Sequence, residues 1–203
     1  MSGIDELISK SLTQVIKSNL ESSLEKKVKV KLFSKYGSSI QQTISDFSKL
    51  EKVLREYLKY ETLKFEKKCI NEILSLKKQK TSYLVSIKDQ NLVNDILKYF
   101  GNDEYRSIIE ATFIQPLLTS EILEKTKLPK TSCYRIINNL IRNGILIEEQ
   151  VEFTKKRRSI SRLKPIFTKI NLEINKNQKT VKLSIPKKII QQSSTISTIF
   201  KEI

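Results

Sequence analysis

The segment KLPKTSCYRIINNLIRNGIL, residues 127–146, constrains the fold more than any other part of this 203-residue chain. Its apolar residues recur at intervals of three and four, the period of an α-helix that buries one face. Gly144 is placed to end that helix in the left-handed conformation. The face predicted to be buried comprises Cys133, Ile137, Leu140 and Ile141. The opposite, polar face comprises Lys130, Thr131, Ser132, Tyr134, Arg135, Asn138 and Arg142.

Two shorter helices are predicted immediately before this segment. Asn102 is suited to cap a helix over NDEYRSIIEATFIQ, which has acidic residues in its first turn and is stopped by Pro116. Thr119 is suited to cap a second helix over TSEILEKTKL, which ends before Pro129. The predicted order is therefore helix, helix, tight turn, helix.

A basic hairpin is predicted to follow the third helix. ILIEEQVEF alternates in polarity as a strand does, and ISRLKPIFTKI returns after the tip TKKRRS. Such a tip can reach phosphates or a narrow minor groove, although a run of charge is also typical of a solvated loop. Its position directly after the polar helix favours DNA contact. The basic residues proposed for this contact are Lys155, Lys156, Arg157, Arg158 and Arg162.

This arrangement, with the motif LPKTSCYRIINNLIRNGIL, resembles the winged helix-turn-helix of ArsR- and TrmB-like archaeal and bacterial transcription regulators. The resemblance covers about residues 102–167 and implies that the third helix lies in the major groove of DNA. Arg135 can then form hydrogen bonds with guanine and Asn138 with adenine, or either side chain can bind phosphate. Thr131, Ser132 and the first-turn amides suit a phosphate oxygen. Winged helices also dock on other proteins, which keeps a second class of function open.

The charge balance independently suggests a polyanionic partner. The chain has 38 basic and 22 acidic residues, a net charge of +16. Such a charge implies nucleic acid as the partner most often and an acidic membrane surface less often. The alternative is that the charge serves only solubility. Residues 151–203 alone hold 13 basic and 3 acidic residues. The positive charge is thus concentrated after the polar helix.

Several classes of chemistry are excluded by the residues that the sequence lacks. It contains no histidine, which removes histidine acid–base chemistry, Ser-His-Asp triads and most transition-metal sites. With only four glycines and no GxGxxG, it offers no phosphate-cradling loop. Cys69 and Cys133 are isolated, so they cannot supply a structural zinc site. We therefore expect no enzyme activity, no metal and no cofactor.

Hydropathy and cysteine usage bear on localisation. No segment approaches the roughly 18 apolar residues needed to span a bilayer. The N-terminus MSGIDELISK is polar and acidic, unlike a signal peptide. These features and two unpaired thiols predict a cytoplasmic protein with no membrane association.

Residues 1–80 are predicted to be a helical module. KVKVKLFSKYGSS is expected to interrupt it as a connector or short extended piece, and its last helix is expected to run into LKKQK. IDELISKSLTQVIKSNLESSL and FSKLEKVLREYL are similar to the small helical output domain fused to regulators in ammonia-oxidising archaea. That resemblance implies a sensing, dimerising or docking module for an unknown ligand or protein partner.

The predicted organisation is α+β and mostly α. A linker helix in 81–101 joins the helical module to a winged helix-turn-helix in 102–186, which includes an additional C-terminal β-hairpin from FTKINLEI and KTVKLSI. The tail, 187–203, is expected to be a frayed helix or disordered. The predicted function is regulation of transcription by binding double-stranded DNA as a homodimer. The alternative is a winged-helix protein-interaction or architectural module that docks on the transcription machinery.

Overall fold

A computed structural model describes residues 3–153, 159–176 and 178–200, and it shows an α+β fold that is mostly helical. The N-terminal helices are α1 (Gly3–Asn19), α2 (Ser22–Tyr36), α3 (Ile40–Thr43), α4 (Phe47–Leu58) and α5 (Thr62–Ile73). Short 3₁₀ turns, Ile44–Asp46 and Lys59–Glu61, flank α4. The hairpin β1 (Leu74–Lys78) and β2 (Ser82–Ile87) follows.

The second half of the chain begins with four helices, namely α6 (Gln90–Gly101), α7 (Asp103–Phe113), α8 (Thr119–Thr126) and α9 (Lys130–Arg142). Two hairpins come next, formed by β3 (Leu146–Phe153) with β4 (Ser159–Pro165) and by β5 (Lys169–Ile174) with β6 (Lys179–Pro186). The short helices α10 (Lys187–Gln191) and α11 (Ser194–Ile199) complete the described chain.

Helix α2 corrects the prediction of a connector at KVKVKLFSKYGSS. The alternation of valine and lysine resembles a strand, but Val28 and Leu32 are four residues apart and both are fully buried. One helical face therefore suffices to bury them while the lysines remain in water. The helix ends at Gly37, whose φ of 61° places it in the left-handed region and whose N–H donates to the carbonyl of Phe33.

Strand β1 corrects the prediction that the last N-terminal helix continues into LKKQK. The chain turns from helical to extended at Leu74, where φ is −151° and ψ is 165°. β1 pairs with β2, which in turn pairs with β6, so that the sheet order is β1-β2-β6-β5 with every neighbouring pair antiparallel. The predicted hairpin of β5 and β6 is confirmed. It is not a separate addition to the hairpin of β3 and β4, because β6 pairs with β2 and so joins the sheet that begins with β1.

The C-terminal tail, for which the sequence allows a frayed helix or disorder, forms the two short helices α10 and α11 within residues 187–200. Its buried apolar side chains are Ile189, Ile190, Ile196 and Ile199. Asp5 of α1 caps α11, because its Oδ1 accepts from Ser193 Oγ at 2.6 Å and from the Thr195 N–H at 3.1 Å. Its Oδ2 accepts from the Ser194 N–H at 2.8 Å. A buried carboxylate from the start of the chain thus fixes its end.

Helices α7 and α8 begin as predicted but end two residues earlier, at Phe113 and Thr126, and one capping residue differs. Asn102 caps α7 by accepting from the N–H groups of Glu104 and Tyr105. At α8 the expected cap, Thr119, is already helical, and the Glu121 carboxylate accepts instead from the Leu118 N–H at 2.7 Å. The connection between these helices also forms a β-bridge between Leu117 and Leu163 of β4.

Candidate nucleic-acid interface

Helix α9 has two chemically distinct faces. Its buried residues are Cys133, Ile136, Ile137 and Leu140, and they pack toward α7 and α8. The exposed residues are Lys130, Thr131, Tyr134, Arg135, Asn138 and Arg142, with Ser132 half-buried beside them. The predicted division between an apolar and a polar face is confirmed, except that Ile136 is fully buried and Ile141 only half-buried. It presents one contiguous polar surface about 18 Å long, given the rise of an α-helix.

The N-terminus of α9 leaves backbone donors available. Pro129 occupies the N-cap position, and its carbonyl accepts from the Cys133 N–H at 2.9 Å. No side chain among the described residues caps the first turn. The early N–H groups of a helix have no intrahelical acceptor and carry the positive end of its dipole. Thr131 and Ser132 therefore lie where an anion is favoured.

Arg135 lies exposed near the middle of this face. Its side chain is 64% exposed, and its Nη2 lies 3.9 Å from Oε2 of Glu104 on α7. An ion pair that long and that exposed contributes little to stability, so the guanidinium can exchange it for a ligand. Tyr134, next to it in sequence, is 43% exposed. Arg142 is the last residue of α9. It lies beside a cleft of about 590 Å³ that is also lined by Gly3 and by other residues of α1 and β3.

The β3–β4 hairpin follows α9 as predicted. Leu146 pairs with Pro165 at its base, and the strand register shifts by one residue between Gln150 and Glu152. The proposed wing-tip residues are Lys155, Lys156, Arg157 and Arg158, and all four lie outside the described residues. The predicted phosphate contact of this tip therefore stays a prediction.

Arg162 is placed differently from the other predicted contact residues. Its Nη1 donates to Glu121 Oε2 at 2.6 Å and to the carbonyl of Pro116 at 3.3 Å. The backbone N–H of Leu118 and then the Arg162 guanidinium lower the pKa of the Glu121 carboxyl below its ordinary value. Arg162 thereby ties β4 to the start of α8. Its sequence position among basic residues gave no sign of this partner, which lies 41 residues away.

Gly144, the predicted end of α9, has a second role that the sequence did not indicate. Its φ of 66° confirms the left-handed conformation. A Cβ built on it would overlap the carbonyl oxygen of Gly3 and the backbone nitrogen of Leu7. A Cβ on Gly3 would in turn overlap side chains of Ile147 and Ile166. The first turn of α1 is therefore pressed, backbone against backbone, onto the junction of α9 and β3.

A small polar cavity of about 40 Å³ lies between α1, α6 and the end of α9. Glu6, Asp95 and Asn143 contribute polar atoms to its wall. Burial raises the pKa of the Glu6 carboxyl, and its Oε1 is buried without a hydrogen-bond partner among the described residues. The space suits a few water molecules, which commonly satisfy buried polar atoms of this kind.

The positions of the carboxylates and thiols among the described residues bear on metal binding and on the state of the cysteines. No group of three or more histidine, cysteine, aspartate or glutamate side chains is close enough among them to hold a metal ion. Cys69 and Cys133 are both buried, and burial raises the pKa of the Cys69 thiol to about 12. No described helix is both long and apolar enough to cross a membrane.

No protein-family model, curated protein or solved structure matches this chain. The arrangement of the chain's own residues is therefore the evidence for its function. The exposed face of α9, the uncapped first turn and the adjoining hairpin are the features available for it.

Proposed function

We propose that α7, α8, α9 and the β3–β4 hairpin form a winged helix-turn-helix, and that the protein regulates transcription by binding double-stranded DNA. The observation that carries the proposal is the exposed face of α9, where Arg135 and Asn138 stand one turn apart beyond an uncapped first turn. These are the side-chain types that read guanine and adenine edges in the major groove. The bridge between Leu117, in the connection from α7 to α8, and Leu163 of β4 would hold these helices and the hairpin in a fixed relation.

The remaining residues of the proposed interface have different roles, which follow from the groups they present. Thr131, Ser132 and the first-turn amides bind a phosphate, which positions the helix without reading sequence. Lys130, Tyr134 and Arg142 flank the bases, and the wing residues at 155–158 add phosphate contacts. Arg162, which already binds Glu121, also supports the hairpin.

A homodimer is part of the proposal, because paired recognition helices of this kind read two half-sites on successive turns of DNA. Val30 and Phe33 on α2 are 69% and 72% exposed, and a second copy can cover them. The N-terminal helices then serve as the dimerising or sensing part. Sedimentation equilibrium of the wild type and of Phe33→Ser tests this arrangement.

The groove-reading model is tested by two sets of substitutions in DNA titrations. Sequences bound from a random pool first provide a preferred duplex and a scrambled control. Arg135→Ala should reduce the preference for the selected duplex by about 1–3 kcal/mol. Replacing the four basic residues at 155–158 by glutamine should weaken both duplexes alike and flatten the dependence on salt. The model is wrong if neither change alters binding.

A protein-docking function is the second candidate, and one surface favours it. Ile114 and Phe113 at the end of α7 are 89% and 40% exposed. Residues 101–150 also hold 6 basic and 7 acidic residues, so the proposed reading unit has little charge of its own outside the wing. Docking predicts that the random pool yields no preferred sequence. It also predicts that binding to a purified transcription protein is insensitive to Arg135→Ala and weakened by Ile114→Ser.

A further inference from the structure

The four-stranded sheet has one face against the helices and one toward solvent. Alternate residues of its two central strands are buried, among them Val85 and Leu183, which are paired across the strands. The intervening residues therefore form the opposite face. Eleven residues of that solvent face, each exposed or half-buried, are Ser75, Lys77, Ser82, Leu84, Ser86, Lys169, Asn171, Glu173, Thr180, Lys182 and Ser184.

The strand register spreads three lysines over this face. One cross-strand row runs from Lys77 through Leu84 and Ser184 to Lys169, so the two lysines lie at opposite edges, about 14 Å apart at ordinary strand spacing. Lys182 lies between them, about 7 Å farther along its strand. These separations resemble those between phosphates of a nucleic-acid backbone, not those within one small anion.

The lysines of this face are not neutralised by neighbours. Within the described ranges, Lys77, Lys169 and Lys182 form neither an ion pair nor a side-chain hydrogen bond, whereas Lys31 and Lys35 of α2 both bind Glu56. Five hydroxyl groups and an asparagine surround the three ammonium groups. Glu173 is the single acid among the eleven residues of this face, and Asn175 donates to it.

The chemistry of the face selects one kind of contact. Hydroxyl, amide and ammonium groups bind phosphate oxygens and sugars. None of the eleven residues is aromatic, so the face offers no platform on which unpaired bases could stack. A duplex, whose bases are already stacked and whose phosphates face outward, is the form of nucleic acid that these groups suit.

The sheet is also close to the β3–β4 hairpin. Only three residues separate Pro165, the end of β4, from Lys169, which limits the distance between them to about 14 Å. Between them, Phe167 is buried and contacts the rings of Phe100 and Phe113, with centroids 6.4 and 5.8 Å away. The sheet and the helices α6 and α7 are therefore held in a fixed relation.

We propose that the solvent face of this sheet is a second, sequence-independent surface for the phosphate backbone of double-stranded DNA. The inference rests on the proposed function in assuming DNA as the partner, but it does not require that α9 reads bases. It places part of the binding charge on strands that the winged-helix resemblance does not include.

The test compares two triple variants that lose the same charge. One is Lys77→Gln, Lys169→Gln and Lys182→Gln on the sheet face. The other is Lys26→Gln, Lys52→Gln and Lys67→Gln, three exposed helical lysines that also lack ion pairs among the described residues. Fluorescence anisotropy of a labelled 30-base-pair duplex is measured over a range of salt concentrations, and circular dichroism confirms that each variant is folded.

The sheet variant should lose about 10- to 100-fold in affinity near 0.1 M salt, and its log–log salt slope should fall by about 2 to 3, one contact for each lysine. The control should change by less than about threefold. Equal losses in both triples, or no loss in the sheet variant, would overturn the proposal. If a triple variant does not fold, the DNA affinities of Lys182→Gln and Lys182→Arg are compared instead, because only Lys182→Gln removes the positive charge.

The failure of this proposal can be distinguished from the failure of groove reading. If Arg135→Ala abolishes sequence preference while the sheet variant matches its control, α9 reads DNA and the sheet does not bind it. If Arg135→Ala has no effect while the sheet variant loses affinity, the sheet binds DNA and the reading model fails. A wild-type protein with no affinity for duplex DNA overturns both.

Discussion

Gly3 and Gly144 meet backbone to backbone, with the Gly3 carbonyl oxygen occupying the space where any side chain on Gly144 would begin. Gly144 ends α9, and Gly3 begins α1, so this contact joins the proposed reading helix to the N-terminal module. The absence of a side chain at both positions is what permits so close an approach. Both glycines therefore serve packing as well as chain conformation.

Three glycine-to-alanine variants should separate these two roles. Gly144→Ala combines a positive φ with backbone overlap and should lower the free energy of unfolding by more than about 3 kcal/mol. Gly37→Ala has a φ of 61° but open space around it, and should cost about 1 kcal/mol. Gly101→Ala has neither constraint and should be neutral or slightly stabilising. Urea denaturation measures all three, and equal costs at positions 37 and 144 would refute the packing role.

Asp5→Ala should destabilise the protein by about 2–4 kcal/mol. The substitution removes three hydrogen bonds and leaves the Ser193 hydroxyl and two buried or half-buried N–H groups without their acceptor. Glu110→Ala, which removes an exposed carboxylate from the middle of α7, should change stability by less than about 0.5 kcal/mol. Chemical denaturation measures both variants. Limited proteolysis should show earlier cleavage within 187–200 for Asp5→Ala, and an unchanged pattern would contradict the capping role.

Lys59→Gly should stabilise the protein. Lys59 ends α4 with φ 51° and ψ −120°, a conformation that costs a residue with a side chain about 1–3 kcal/mol and glycine far less. Glycine gains conformational entropy in the unfolded chain, so the expected net gain is about 1 kcal/mol. Lys52→Gly in the middle of α4 should instead destabilise by about 1 kcal/mol. Thermal unfolding that showed the same sign for both would contradict the strain at Lys59.

Cys69 should make stability fall at alkaline pH. Because burial raises the pKa of its thiol to about 12, the folded protein retains the proton while the unfolded chain releases it above about pH 8.5. The stabilisation is thus complete below the unfolded pKa and is lost as the pH rises from there toward 12. Well above the unfolded pKa, the free energy of unfolding should fall by about 1.4 kcal/mol for each pH unit in this window. Cys69→Ala should lack that component, so the difference between the two pH profiles isolates it.

The elements with strong local signals were predictable from the sequence. Asn102 before an acidic turn and an apolar stripe ending at Gly144 each specify a helix boundary through local chemistry, and both are found as predicted. The burial of Cys133 and the exposure of Arg135 followed from helical periodicity alone. Local periodicity was sufficient there because the burial of each residue depends only on its position around a single helix.

The errors arose where distant segments decide the structure. Leu74 continues a helical pattern in the sequence, yet it becomes a strand because β2 and, through it, β6 supply a sheet for it to join. The ion pair of Arg162 with Glu121 joins β4 to α8 across 41 residues, and nothing in the sequence indicated it; DNA contact by Arg162 stays a prediction. The capping of α11 by Asp5 also joins the two ends of the sequence. Such pairings leave no periodic signal in either partner.

The pairing of β2 with β6 has a consequence for how the chain is made. During synthesis, Ser82–Ile87 emerges about 90 residues before its partner strand Lys179–Pro186. At ordinary elongation rates the ribosome needs roughly 5–20 s to supply that partner. Throughout this interval the nascent hairpin carries an open hydrogen-bonding edge, the kind of edge that recruits other strands. Neither half of the chain can therefore complete the four-stranded sheet alone.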